Sequence, residues 1–140
     1  MLETSIKEGL QSTGRRMTRT RKAVLALLER THQPLSASEI FAQLQEEQVA
    51  IDLVTVYRTV NVLKELGLVV QLDLYQEGQS RYELKEGRTH HHHIRCQICG
   101  RIVDLLLCPL KKLTKLIEKR TQFVVGDHTL EFTGFCPKCQ

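Results

Sequence analysis

The stretch that most constrains this chain is His90-His91-His92-His93-Ile94-Arg95-Cys96-Gln97-Ile98-Cys99, in which four histidines run into a C-x-x-C pair. A second pair, Cys136-Pro137-Lys138-Cys139, stands at the end of the sequence. Thiolate and imidazole are the ligands that borderline-soft divalent metals prefer, and two such pairs have the ligand spacing of a four-sulfur zinc site. Cys96, Cys99, Cys136 and Cys139 are therefore expected to hold structural Zn2+ and to tie the two segments together. A purification tag is excluded, because the run is internal and only four residues long. A thioredoxin-like dithiol is usually single and opens a helix, whereas here the pair recurs between strand-like flanks. Structural disulfides would need an oxidising compartment, and no signal peptide is recognisable.

The 140 residues allow one domain or two small ones, and 41% hydrophobic with 26% charged residues is a globular balance. No apolar run approaches the roughly 20 residues of a membrane span. A soluble cytoplasmic protein with no membrane partner is expected. The net charge of +4 is too small to imply a nucleic-acid partner by itself. Its distribution says more: Arg15, Arg16, Arg19, Arg21 and Lys22 crowd together with no acid between them, and Lys111, Lys112, Lys115, Lys119 and Arg120 form a second group.

Residues 5–12 have the pattern of a short helix before Gly14. Thr18 is placed to cap a helix running to about Arg30, with Val24, Leu27 and Leu28 inward. Ser36-Ala37-Ser38-Glu39 is a capping box opening a further helix with Ala37, Ile40, Phe41 and Leu44 inward. Asp52 caps the next, which Gly67 stops. Leu53, Val56, Val60 and Leu63 share its buried face, leaving Thr55, Tyr57, Arg58 and Asn61 outward. A guanidinium, a phenol, a hydroxyl and an amide on one face suit the base edges and phosphates of a major groove. Two β-prone segments, 68–74 and 80–84, make a hairpin. Helices followed by such a wing have the layout of a winged helix-turn-helix, with Arg16 and Arg19 flanking the recognition helix.

Residues 85–89 read as a hinge. Strands are expected near 91–95 and 101–105, a helix from Pro109 at its first position to Lys119, and strands near 122–125 and 129–135. Leu110, Leu113 and Ile117 share one face of that helix. About 50 residues give a thin core, for which a metal staple or oligomerisation is the usual remedy. Side chains alternate along a strand, so His91 and His93 point one way and His90 and His92 the other. Glu83, Asp104 and His32 are candidate further ligands for the first pair. A metal held by His91, His93 and Glu83 or His32 would clamp the two domains across the hinge.

Thr55-Val56-Tyr57-Arg58, Tyr82-Glu83-Leu84, the histidine run leading into Cys96-x-x-Cys99-Gly100, and Cys136-x-x-Cys139 together resemble the ferric uptake regulator family. These bacterial metalloregulators include iron, zinc, manganese, nickel and peroxide sensors, and the resemblance covers nearly the whole chain. It implies an α+β fold: a winged helix-turn-helix DNA-binding domain at 1–84, a hinge at 85–89, and a C-terminal α/β dimerisation domain at 90–140 carrying the four-cysteine zinc site. It also implies a homodimer acting on a double-stranded DNA operator, usually as a metal-activated repressor. By position, the four cysteines match structural zinc ligands. Glu83, His91, His93 and His32 match the regulatory site, with Asp104 as an additional ligand. Tyr57 and Arg58 match DNA-contacting positions, and Arg16 a basic residue that approaches the backbone or minor groove.

The chain departs from the family in several places. A further family metal site joins His90, His92 and His128 to a helix-borne acid. Lys111 stands where that acid belongs, so this site is expected to be altered or empty. The family's usual histidine falls at Pro34, two residues after His32. A common early proline of the second helix is Thr20. The aspartate favoured by peroxide sensors is Glu83, which argues against that role. Cys108 matches no partner and is expected to be a small buried apolar residue or, alternatively, a reactive thiol.

The carboxylates favour Fe2+, with Mn2+ as a further candidate, whereas the histidine-rich set and Lys111 favour Zn2+. Control of metal-uptake genes by ferrous iron is the expectation, and zinc-uptake regulation the alternative. Neither an enzymatic activity nor a small-molecule substrate is expected. A zinc deaminase would carry a His-x-Glu motif before its cysteine pair, and none is present. A thiol oxidoreductase using Cys96 and Cys99, or a metal buffer that binds no DNA, are the readings from other classes.

Overall fold

In a computed structural model, residue 10 and residues 13–74, 76–85, 87 and 89–140 are described, and the chain divides into two units, Met1–Arg88 and Thr89–Gln140. The helix expected over residues 5–12 falls outside the described residues except for Leu10, which is buried in the core of the first unit. The expected hinge spans the boundary between the units, and two of its residues, 86 and 88, are likewise outside.

The first unit is built from helix α1 (Arg19–Arg30), strand β1 (Leu35–Ser36), α2 (Ala37–Glu46), α3 (Leu53–Glu65), β2 (Val69–Leu72) and β3 (Arg81–Leu84). Local chemistry sets each helix start. The Thr18 hydroxyl accepts from the Arg21 amide, the Asp52 carboxylate accepts from the Thr55 amide at 2.7 Å, and Ser36 and Glu39 complete the reciprocal capping box. Gly67, at φ +71°, ends α3, with the Leu68 amide donating back to the Leu63 carbonyl at 2.9 Å. That is the left-handed stop that favours glycine. Val24, Leu27 and Leu28 of α1, Ala37, Ile40 and Leu44 of α2, and Val56, Val60 and Leu63 of α3 form one core with Leu35, Val69, Tyr82 and Leu84 of the sheet. Phe41 and Leu53 pack on it while partly buried.

The expected hairpin forms from β2 and β3, and a third strand, β1, which the sequence reading did not include, joins it. The sheet order is β1-β3-β2, all antiparallel, with Leu35 opposite Tyr82 and Ser36 opposite Arg81. Two residues are too few to carry an alternating pattern, so β1 left no periodic signal in the sequence. Arg81 locks this junction. Its guanidinium donates to the Pro34 carbonyl at 3.0 Å and lies 2.6 Å from carboxylate oxygens of both Glu39 and Glu77. The capping box of α2 is thereby fastened to the central strand.

The second unit comprises β4 (His92–Cys96), β5 (Ile102–Leu105), α4 (Lys111–Thr121) and β6 (Glu131–Gly134). Its sheet order is β5-β4-β6, with β4 antiparallel to β5 and parallel to β6. Two expectations fail here. The helix begins at Lys111 behind Leu110, so Pro109 precedes it and does not occupy its first turn. No strand forms at 122–125. Gln122 turns left-handed at φ +61°, and the Phe123 and Val125 amides donate to the side chains of Thr121 and Glu118 instead of to a neighbouring strand.

The second unit buries little apolar surface of its own. Among its described residues, Cys96 and Ile102 are the buried hydrophobic ones, and α4 buries none, so Leu113 and Ile117 share a face that stays exposed. Leu106, Leu107, Leu116, Phe123, Val124, Phe132 and Phe135 are exposed too, Val124 to 91%.

Candidate metal centres and nucleic-acid face

Strands β4 and β6 lie side by side with Cys96 opposite Gly134, so the knuckles 96–99 and 136–139 leave adjacent strand ends. The four sulfurs of Cys96, Cys99, Cys136 and Cys139 lie within 4.8 Å of one another, and all are free thiols. Cys99 and Cys136 are 3.7 Å apart. A tetrahedron with metal–sulfur bonds of about 2.3 Å has edges of about 3.8 Å, so the cage fits Zn2+. Its electrostatics point the same way. Hydrogen bonds from the Cys136 and Cys99 backbone amides bring the Cys96 thiol down to about 6, while the side chains of Cys136, Cys96 and Cys99, together with desolvation, push Cys139 up to about 12. The group can hold its first negative charge cheaply and its last only beside a cation.

The histidine run divides between two faces, as alternation requires. On one side the His91 and His93 rings are 4.9 Å apart. His91 Nδ1 donates to the Thr89 carbonyl at 2.8 Å, which leaves Nε2 as its ligand atom. His93 pairs with Asp104 across β4 and β5, with its Nε2 3.5 Å from the carboxylate. In the first unit, Glu83 is buried on β3 opposite Val70. His32 is exposed between α1 and β1 and joins no cluster of metal-ligating groups among the described residues.

On the other face, His90 Nε2 lies 3.1 Å from His92 Nε2 and 3.1 Å from His128 Nε2, and the last two are 3.3 Å apart. Burial, then His90 and His128, lower the pKa of His92, which favours the neutral, metal-binding imidazole. Cys108 corrects the sequence reading. It is not a buried apolar filler; half-buried, it sits with its sulfur 3.4 Å from His128 Nε2 and joins the three histidines in one cluster. Lys111 lines the same cleft. No spacing rule could have found Cys108, because the chain's return from β5 toward α4 is what delivers it.

In the first unit, α3 turns Tyr57, Arg58 and Asn61 to solvent, with Thr55 half-buried. Val54, 58% exposed, shares that face and was missed, although positions 54, 57, 58 and 61 form a helical stripe. Arg16 and Arg19 are exposed. The Arg16 carbonyl accepts from Arg21, and Arg15 is paired with Glu65 of α3 at 2.8 Å. No helix among the described residues is long and apolar enough to cross a membrane.

Known proteins resemble this arrangement over almost its full length. Residues 12–133 match the ferric uptake regulator family. The ferric uptake regulation protein of Bacillus subtilis is 38% identical over 137 residues, covering 96% of this chain and 91% of its own. The peroxide-responsive repressor PerR of Staphylococcus aureus is 36% identical over 140 residues, covering 99% of this chain and 91% of its own. The structure of the ferric uptake regulator of Francisella tularensis with iron superimposes with a TM-score of 0.79 at 29% identity, covering 90% of this chain and 95% of that one.

Proposed function

The chain belongs to the ferric uptake regulator family of metal-responsive transcriptional regulators, and from that premise we propose that it represses metal-uptake genes when its regulatory site is filled. Regulators of this family are metal-binding, homodimeric repressors that act on DNA and are not enzymes. In this reading residues 1–84 form a winged helix-turn-helix domain, 85–89 a hinge and 90–140 the dimerisation domain. Recognition helix α3 reads the operator through Thr55, Tyr57, Arg58 and Asn61, while Arg16 and Arg19 approach the backbone. The observation that carries the proposal is the division of one histidine strand between two faces beside a separate four-thiol cage. Clustering of all four thiols supports structural zinc over dithiol exchange at Cys96 and Cys99.

His91, His93 and Glu83 are assigned to the regulatory site, with Asp104 as a further oxygen ligand and His32 as the less supported one. When bound there, a divalent ion supplies the positive charge that these groups share. Glu83 comes from the first unit and the histidines from the second, so joint ligation favours the arrangement in which both reach it. A coupling of about 1–3 kcal/mol would change operator affinity roughly 5- to 150-fold.

Oxygen ligands from Glu83 and Asp104 favour ferrous iron over zinc. Both an iron regulator and a peroxide-responsive repressor are among the relatives. Glutamate at position 83, where peroxide sensors favour aspartate, supports the iron reading. The histidine-rich opposite face favours the alternative, zinc-uptake regulation. Operator binding at fixed salt, with chelated protein that keeps its thiolate-bound zinc and is reloaded separately with ferrous iron, zinc or manganese, decides between them. Ferrous iron is expected to restore binding best. Restoration by zinc alone would make this a zinc regulator, and equal affinity of the stripped form would end the switch hypothesis.

A further inference from the structure

The cluster on the opposite face of β4 contains a ligand that the family's pattern does not supply. Three imidazole nitrogens converge there at 3.1–3.3 Å, with the Cys108 sulfur 3.4 Å from one of them and all four ligand atoms within 4.8 Å of one another. We propose that Cys108 completes a metal site with His90, His92 and His128, making a three-nitrogen, one-thiolate centre that takes zinc in preference to ferrous iron or manganese.

Geometry carries the first part of this assignment. Metal–nitrogen bonds of about 2.0–2.1 Å in a tetrahedron give nitrogen–nitrogen edges of about 3.3 Å, and a sulfur–nitrogen edge is about 3.6 Å. The three nitrogen–nitrogen separations and the Cys108–His128 separation are close to those edges, and the sulfur lies within 4.8 Å of the other two nitrogens. The donors also come from three places in the fold, which is how a metal site closes loops. His90 precedes β4 and His92 opens it, Cys108 follows β5, and His128 precedes β6. All four belong to the second unit, so the site does not depend on how the regulatory proposal fares.

Charge and softness carry the second part. Three neutral imidazoles would leave a divalent ion with its full charge facing Lys111, which lines the same cleft. A lysine ammonium has no lone pair to offer. A thiolate from Cys108 supplies the missing negative charge three residues before Lys111, so the replacement of the family's acid does not abolish the site. Replacing a carboxylate oxygen by sulfur shifts preference from iron and manganese toward zinc. The two faces of β4 thus differ in kind: sulfur with three nitrogens on one, the Asp104 carboxylate with two nitrogens on the other.

Cobalt is the probe, because a thiolate bound to it gives a charge-transfer absorption that imidazole and carboxylate do not. Full-length protein whose four-cysteine cage is kept filled with zinc, verified by native mass spectrometry, is titrated with Co2+. The expected result is one equivalent showing the sulfur-to-cobalt band, displaced by added zinc but not by manganese. Cys108→Ser should remove the band and weaken cobalt binding at this site by at least about 10-fold, the lower end of what even outer-shell partners contribute. His91→Ala should leave the band intact. The assignment is overturned if wild-type protein binds cobalt without the band, if it binds none at this site, or if the band survives in Cys108→Ser.

Discussion

Val54, Tyr57, Arg58 and Asn61 face solvent from a helix whose other side is closed by Val56, Val60 and Leu63, so their identities are free of packing demands. Arg58→Ala is expected to weaken specific operator binding by about 1–3 kcal/mol, roughly 5- to 150-fold, with metal content unchanged. Unaltered affinity in a gel-shift assay would remove α3 from the reading role. Asp52, which caps the same helix, gives a pH signature. Hydrogen bonds from the Thr55 hydroxyl and amide, helped by Arg58, hold its carboxyl below the usual range. Its ionised form therefore stabilises the folded state fully above the unfolded value of about 4, and that contribution disappears as pH falls through the lower folded value. Asp52→Asn retains a cap but loses this dependence, so its stability deficit should be constant near neutrality, shrink as pH falls below about 4 and vanish below the lower folded value in urea titrations. Such caps and stripes are legible in sequence because they depend on neighbours within one turn. Cys108 was not, since its role depends on His128 and on a change of chain direction.

Secondary-structure elements were legible in proportion to their length and to how local their stabilising contacts are. Helices α1, α2 and α3 each have a side-chain cap and a buried stripe, and each begins where those signals lie. α4 has no side-chain cap and buries nothing, and its start was misplaced. β1 exists because β3 accepts it, and Arg81 fixes the junction from a distance in sequence that no local pattern spans. Two substitutions separate these contributions. Ser36→Ala removes one half of the capping box and is expected to cost about 1 kcal/mol. Arg81→Met leaves Glu77 buried without its guanidinium and should cost about 3 kcal/mol, within the range for breaking a buried ion pair. Equal midpoints for the two variants in denaturant unfolding would refute the larger role given to Arg81.

At the scale of the molecule, the two units have opposite economies. The first encloses its own core, whereas the second leaves α4, Phe123, Val124, Phe132 and Phe135 exposed around a small sheet. Such a surface fits the homodimer proposed above, with the apolar side chains facing a second copy. Replacing Leu116 and Ile117 together by aspartate should yield monomers in analytical ultracentrifugation and abolish operator binding at micromolar protein. Persistent dimers would place the interface elsewhere. A unit completed only by its twin also makes stability depend on concentration, because dissociation and loosening become one event. The genetic consequence is dominance. A copy with a ruined α3 but a sound second unit would mate with intact siblings and disable them, so one defective allele beside a good one should derepress the regulated genes far beyond half.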